Sequence, residues 1–157
     1  MTSRIASVPR TNASAPWALA ALLSSLALVW RSRRDTGRPA AAVNAVSHWL
    51  WPEKALRVDD GSLRYTGTGT VVHVMSSLLW AALYGWWMKA GRGHGPLNAA
   101  AKAAAVTSVA AVVDLRVVPG RLSPGFEHRL SPQSVAVVYA SFALGLALGG
   151  LMLRRIS

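Results

Sequence analysis

Three long runs of the sequence contain no Asp, Glu, Lys or Arg, and these runs constrain the fold more than any other feature. They cover 11–30, 65–88 and 130–153, which are 20, 24 and 24 residues long. A helix needs about 20 apolar residues to cross the hydrocarbon core of a bilayer, because each residue advances it by about 1.5 Å. The runs therefore predict spanning helices over about 12–30, 66–88 and 132–153.

A fourth stretch, 97–118, is rich in Ala and Val but carries charged residues near both ends. Lys102 lies near its start, where the long side chain can reach the membrane surface, and Asp114 and Arg116 lie near its end. We interpret this stretch as the third of four spans. The sequence thus predicts an all-α integral membrane protein, a single domain over 1–157 with four transmembrane helices.

The connection between the first two spans contains a short predicted helix over about 40–51. Pro39 suits the start of a helix, and Pro52 is expected to end it near Trp51. The segment is too short to span a bilayer. Its tryptophans favour an interfacial or re-entrant helix at the level of the lipid headgroups. A short helix packed on the end of the bundle is the alternative.

The basic residues are distributed between the uncharged runs. Lys and Arg number 17 against 6 Asp and Glu, a formal net charge of +11. Clustering between apolar runs is typical of membrane-protein loops, whereas nucleic-acid binding needs a continuous basic surface. We therefore predict the lipid bilayer, and no nucleic acid, as a partner. The connections 31–64 and 116–129 hold 10 of the 17 basic residues, which favours a cytoplasmic location for these two loops.

His73 is the one ionisable residue well inside a predicted span. Ser77, Trp80 and Tyr84 follow at i+4, i+7 and i+11, so they share its helix face. His73 could carry protons or bind a buried solute, since intramembrane polar residues are candidates for function. It could equally be a neutral histidine that hydrogen-bonds a serine or a carbonyl group and stabilises helix packing. We favour the packing role, because a single histidine makes no proton relay.

Asp114 lies about one turn inside the end of the third predicted span. A charged, unpaired carboxylate at that depth is costly, so we expect an ion pair with Arg116, Arg121 or Arg129. Such a pair would hold the loop 119–130 across the helix ends. The alternative is a gate or an entrance for an anionic group.

Two further polar residues, Glu127 and His128, lie in that same loop. We expect His48, Asp114 and the loop 119–130 to meet on one face of the membrane, because both connections lie on the same side in any four-span topology. This arrangement would also allow a lipid-modifying enzyme at the interface.

Gly145 and Gly149 form a GxxxG motif in the last predicted span, and Ser141 extends it by one turn. Small residues at this spacing let two helix backbones approach closely. We expect an intramolecular packing contact rather than a dimer interface. The expected partner is the small-residue face of the third span: Ala100, Ala104, Ser108 and Ala111.

No motif for a metal, a cofactor or a hydrolytic reaction occurs in the sequence. The chain has no Cys, and its four histidines are not spaced for metal or haem ligation. Phosphate-binding loops, nucleophile elbows and zinc-protease motifs are also missing. We therefore predict neither a metal site nor a cofactor.

Four stretches, 44–55, 67–86, 112–131 and 137–149, together resemble a group of small uncharacterised bacterial inner-membrane proteins with about four spans. The resemblance implies a multi-pass protein of the bacterial inner (cytoplasmic) membrane and no particular activity. It marks these positions as recurring in the group: His48, Trp51, His73, Asp114, Pro119, Pro124, Gly125 and Glu127.

These features leave three functional hypotheses open. The first is a non-enzymatic membrane protein that acts through the membrane, through a second copy of itself or through another membrane protein. The second is a component of a small-solute or proton pathway around His73 and Asp114. The third is the interfacial lipid-modifying enzyme. The lack of a recognisable catalytic set favours the first.

Overall fold

Every regular element in the described part of the chain is helical. The structure, a computed structural model, describes residues 15–90 and 95–154. The helices are α1 (Ala15–Thr36), α2 (Ala41–Val46), α3 (Thr68–Ala90), α4 (Pro96–Val112) and α5 (Pro132–Arg154). Short 3-10 turns occupy parts of the connections, and no strand occurs in these residues.

π-helical turns extend two of the long helices. One, Leu63–Gly67, leads into α3, and the other, Val113–Val117, continues α4. With these turns included, three helices of the described chain are long and apolar enough to cross a membrane: Leu63–Ala90, Pro96–Val117 and Pro132–Met152. They coincide with the predicted spans 66–88, 97–118 and 132–153, so the membrane-helix class is confirmed.

The first predicted span, 12–30, corresponds to α1 but is not one of those three helices. Residues 12–14 lie outside the described residues, and α1 continues through Arg31 and Arg33 to Thr36. Its charged last third lowers the mean hydropathy of the described helix. The count of four spans is therefore not confirmed by the described residues.

The long helices pack as a bundle in which α5 lies between α1 and α4, and α3 contacts α1 and α4. α1 and α5 run antiparallel. Ala20, near the start of α1, is adjacent to Gly145, whereas Arg31 near its end donates from Nε to Ser134 Oγ at 2.8 Å. In the sequence, Ser131 followed by Pro132 predicts an N-cap and a first helical residue. The start of α5 is capped in this way, since the Ser134 amide donates to Ser131 Oγ at 3.3 Å.

Asp35 also contributes to this helix start, because its carboxylate accepts a hydrogen bond of 2.8 Å from the Ser131 amide. Hydrogen bonds from Ser134 and Ser131, together with the Arg31 guanidinium, lower the pKa of the Asp35 carboxyl group. The carboxylate is therefore held in its charged form where α1 meets the N-terminus of α5.

The short helix after α1 is packed inside the protein. α2 covers Ala41–Val46, a 3-10 turn continues to Trp49, and residues 41–48 are all buried. α2 contacts α1 and α3, and a Cβ atom on Gly69 would overlap the Val43 carbonyl group. The interfacial helix over 40–51 is not confirmed. The observed burial matches the alternative, a short helix packed on the bundle end.

Two apolar cores divide the bundle along its length. The loop-half core lies beside α2 and the loop 119–130, and the turn-half core lies toward the α3–α4 connection. The loop-half core contains Ala27, Leu28, Ala42, Val43, Val46, Phe126, Leu130 and Val138. The turn-half core contains Ala20, Ala81, Tyr84, Ala103, Val106, Phe142 and Leu146.

The small residues of α5 do form a close helix contact, but the expected partner was wrong. A Cβ atom on Gly145 would overlap the Ala20 backbone and lie 3.0 Å from the Leu19 carbonyl oxygen, so the partner is α1. Gly149 is buried and Ser141 half-buried. The face that was expected to pack there, Ala100, Ala104, Ser108 and Ala111, is exposed at its first three positions. Small size alone does not select between two neighbouring helices.

Candidate functional site

A small cavity lies inside the loop half of the bundle, with a volume of about 60 Å³. Helices α1, α3, α4 and α5 form its walls, and Trp49, Leu122 and Pro124 close it on the loop side. Its polar lining consists of Ser24, His73, Ser76, Ser77, Asp114 and Tyr139. The cavity therefore joins His73 and Asp114, the two ionisable residues that the sequence analysis considered for function within the spans.

His73 is held by a hydrogen bond to α1. Its Nε2 lies 3.0 Å from Ser24 Oγ, and the same hydroxyl lies 3.2 Å from the Ala21 carbonyl oxygen. When the hydroxyl donates to that carbonyl group, it accepts from the Nε2–H group of His73. The Phe126 ring packs edge-on against the imidazole at 6.2 Å between centroids. The bond to serine is of the kind expected for a packing role, yet the imidazole also lines the cavity.

Asp114 lies in the π-helical turn that continues α4, and its partners were not predicted. The Tyr139 hydroxyl donates to Asp114 Oδ2 at 3.1 Å, and the side chain of Trp80 is a second hydrogen-bond partner of the carboxyl group. The expected ion pair with an arginine was wrong for the described residues. Arg129 instead pairs with Asp59, and Arg116 is exposed on the outer side of the turn.

Helix geometry offers a physical reason for this difference. With about 3.6 residues in an α-helical turn, and somewhat more in a π-helical turn, residues two positions apart project to nearly opposite sides. Asp114 lines the internal cavity, and Arg116, two residues later, is accordingly exposed. π-helical turns inside longer helices are frequent at functional sites.

The loop 119–130 covers the cavity and is joined to the segment that follows α2. Trp49 donates from Nε1 to the Ser123 carbonyl oxygen at 2.8 Å. His48 is buried, with Nδ1 3.0 Å from the Ala45 carbonyl oxygen and Nε2 3.1 Å from that of Gly120. His48 thus links α2 to the loop.

Gly125 allows the loop to approach α2 closely. Its φ is +85°, a left-handed conformation that glycine adopts without steric cost. A Cβ atom at this position would also overlap the Ala45 carbonyl oxygen and the His48 ring. The structure therefore brings His48, Asp114 and the loop 119–130 to the same end of the bundle.

Glu127 and His128 belong to the covering loop 119–130 but do not line the cavity. Their side chains are 3.7 Å apart, and the His128 ring faces His48 edge-on at 6.4 Å between centroids. Within the described residues Glu127 Oε2 is buried without a hydrogen-bond partner. Glu127 and Tyr139 also line a groove between α4 and α5.

Besides His48, Glu127 and His128, two more of the sequence-predicted residues do not line the cavity. Tyr84 is buried in the turn half, where its hydroxyl donates to the Ala99 carbonyl oxygen at 3.1 Å. Arg116 is exposed. Ser77 and His73 do line the cavity together, as their shared helix face predicted.

The sequence analysis missed several lining residues, of which Tyr139 is the most important. A tyrosine in the middle of an apolar run signals that its hydroxyl needs a polar partner, and this signal could have identified it. Ser24, on the first predicted span, was missed for a different reason. Its role depends on His73, which is distant in the sequence. α1 contains several serines, and the sequence alone does not show which of them contacts His73.

Together, the fold and the cavity define a class: a helical protein with membrane-spanning helices and a polar cavity among them. No protein-family model, no curated protein and no solved structure matches this chain.

Proposed function

We propose that this chain is a four-span protein of a bacterial inner membrane that binds a small solute in its cavity, without catalysing a reaction. The observation that carries the proposal is the position of His73 and Asp114. These residues lie on different helices, yet both line a single cavity in the bundle. Intramembrane ionisable residues that face such a cavity commonly mark a solute or ion site.

The cavity is suited to a compact ligand. One water molecule needs roughly 10–15 Å³ of such space, so about 60 Å³ accommodates a few waters or one solute of comparable size. Serine hydroxyls, an imidazole and a carboxylate supply several hydrogen-bonding groups. Indole and phenyl rings supply the apolar surface that ligand sites usually have.

The fourth span in this proposal is the part of α1 that lies within the predicted span 12–30. α1 packs antiparallel to α5, as the first and the fourth membrane crossing of one chain must run. Its outward side carries large apolar residues that are about half exposed: Leu22, Leu26, Val29 and Trp30. Such a face suits contact with lipid. The bacterial inner membrane is inferred from the sequence resemblance.

Reporter fusions at residues 1 and 157 test the topology. Four spans place both termini on the same side of the membrane, and with cytoplasmic connections over 31–64 and 116–129 that side is external. Reporters that place the termini on opposite sides would exclude α1 as a span while leaving the cavity proposal to its own test.

Solute binding is tested by a thermal-shift screen of compact neutral, anionic and cationic solutes on the purified full chain in detergent. A ligand present at a hundredfold excess over Kd stabilises the folded state by about 2.7 kcal/mol. Ser77→Leu fills the cavity and should abolish the shift. Ser108→Leu makes the same change on the exposed face of α4 and should retain it. The proposal would be contradicted if no solute raised the melting temperature in a way that Ser77→Leu abolishes and Ser108→Leu retains.

A further inference from the structure

Aromatic rings surround the one carboxylate of the cavity. Besides His73, five of the lining residues carry aromatic rings: Trp49, Trp80, Phe126, Tyr139 and Phe142. They come from α3, α5, the turn after α2 and the loop 119–130, so the rings approach the cavity from several directions. The faces of aromatic rings attract cations, and tryptophan does so most strongly.

The charge of the lining has one sign. Among the residues that the structure describes, no Lys or Arg lines the cavity, although Asp114 does. Within the same residues, the carboxyl group has hydrogen bonds from Tyr139 and Trp80, which are neutral donors and do not compensate a negative charge. A buried carboxylate without a counter-charge is costly, so a cation that enters the cavity gains a favourable electrostatic interaction there.

We propose that the ligand of this cavity is a compact organic cation, an ammonium group with small carbon substituents; this rests on the proposed function that the cavity binds a solute. Asp114 provides the counter-charge, and the rings of Trp80 and Trp49 contact the positively charged substituents. An inorganic cation would leave the aromatic surface unused and would need more oxygen ligands than one carboxylate and a few hydroxyls provide. An anion would meet Asp114 without a Lys or Arg in the described lining to balance it.

Calorimetric titration of the full chain in detergent with three compact solutes tests the charge of the ligand. Tetramethylammonium is positive, tert-butanol is neutral and acetate is negative, and the three are of similar size. Tetramethylammonium is expected to bind at least tenfold more tightly than tert-butanol, and acetate is expected not to bind. Equal affinity for the cation and the alcohol would overturn the cation proposal and leave solute binding intact.

Asp114→Asn preserves the size of the side chain and removes its charge. The substitution should lower the affinity for tetramethylammonium at least tenfold and leave the affinity for tert-butanol unchanged. Asp60→Asn removes the same charge from an exposed side chain and should change neither affinity. An Asp114→Asn protein that binds tetramethylammonium as tightly as the wild type would overturn the proposal.

Trp80→Phe keeps the test decisive if Asp114→Asn fails to fold. A phenyl ring attracts cations less than an indole does. The affinity for tetramethylammonium should therefore fall several-fold, and the affinity for tert-butanol should not. If none of the three solutes binds the wild type, the cation proposal is overturned. The proposed function then falls only if the wider thermal-shift screen is also negative.

Discussion

The turn half and the loop half of the bundle are built from the same four long helices, yet they fill their interiors differently. In the turn half, large side chains pack onto glycines. A Cβ atom on Gly85 would lie 2.8 Å from the Trp17 ring, and one on Gly150 would overlap the Tyr84 hydroxyl. Tyr84 itself is fully buried and its hydroxyl is bonded to a backbone carbonyl group. Complementary sizes thus bring the backbones together.

The loop half contains polar side chains at the positions that face inward. His73, Asp114 and Tyr139 must each satisfy hydrogen bonds, and these bonds hold the side chains at fixed separations across the bundle. Side chains held in this way cannot interdigitate as freely as apolar ones, and a cavity remains between them. Polar contacts, rather than apolar content, therefore determine where this bundle stays open.

The largest expected effect is on the close packing of the turn half. Gly145→Leu places a large side chain against the Ala20 backbone and should lower the free energy of unfolding by about 3 kcal/mol or more. Ala104→Leu, on the exposed face of α4, should change the free energy of unfolding only slightly. Unfolding in mixed detergent and SDS micelles measures both. Equal losses would mean that α5 packs on α4, as the small-residue pattern first indicated.

The next effect concerns the cover of the loop half. Gly125→Ala combines an unfavourable φ with overlap on Ala45 and His48, so we expect a loss of about 2–3 kcal/mol. Gly37 has a φ of +74° and open space around its Cα, so Gly37→Ala isolates the cost of the conformation, about 1 kcal/mol. The same unfolding assay applies. Similar losses of unfolding free energy in the two variants would show that the loop is not in close contact with α2.

The smallest effect concerns the hydrogen bond inside the cavity. Ser24→Ala removes the partner of His73 Nε2 and should cost about 1 kcal/mol, the order found for side-chain bonds between membrane helices. Ser76→Ala changes another lining serine that has no comparable bond to His73. It should therefore be nearly neutral in the same assay. A neutral Ser24→Ala would indicate that His73 is not held by α1.

Charge-free runs predicted two of the three membrane-length helices, α3 and α5, and the Ala- and Val-rich stretch 97–118 predicted the third, α4. The Ser131–Pro132 pair predicted the start of α5. These are local signals, since helix length and capping depend on neighbouring residues. The partners of Gly145 and Asp114 were predicted wrongly, because they are set by which helices become neighbours. Asp114 and Tyr139 are 25 residues apart, and periodicity along either helix does not reveal their contact. The burial of α2 likewise depends on its close approach to Gly69 on α3.

If the cavity binds a solute, the loop half must admit small molecules, whereas the turn half is closed. Because the chain has no Cys, single-cysteine variants give an unambiguous labelling signal. Ser77 lines the cavity, and Ala81, one turn further along α3, is fully buried in the turn-half core. Ser77→Cys and Ala81→Cys therefore compare the two halves on one helix.

The measurement is the rate at which a small cationic methanethiosulfonate modifies each cysteine in the folded protein. Thiol modification requires access of the reagent to the sulfur, so Ser77→Cys should react at least about tenfold faster than Ala81→Cys. After denaturation in SDS the two rates should become equal. Equally slow modification of both cysteines in the folded protein would contradict the account, because the loop half would then be closed as well.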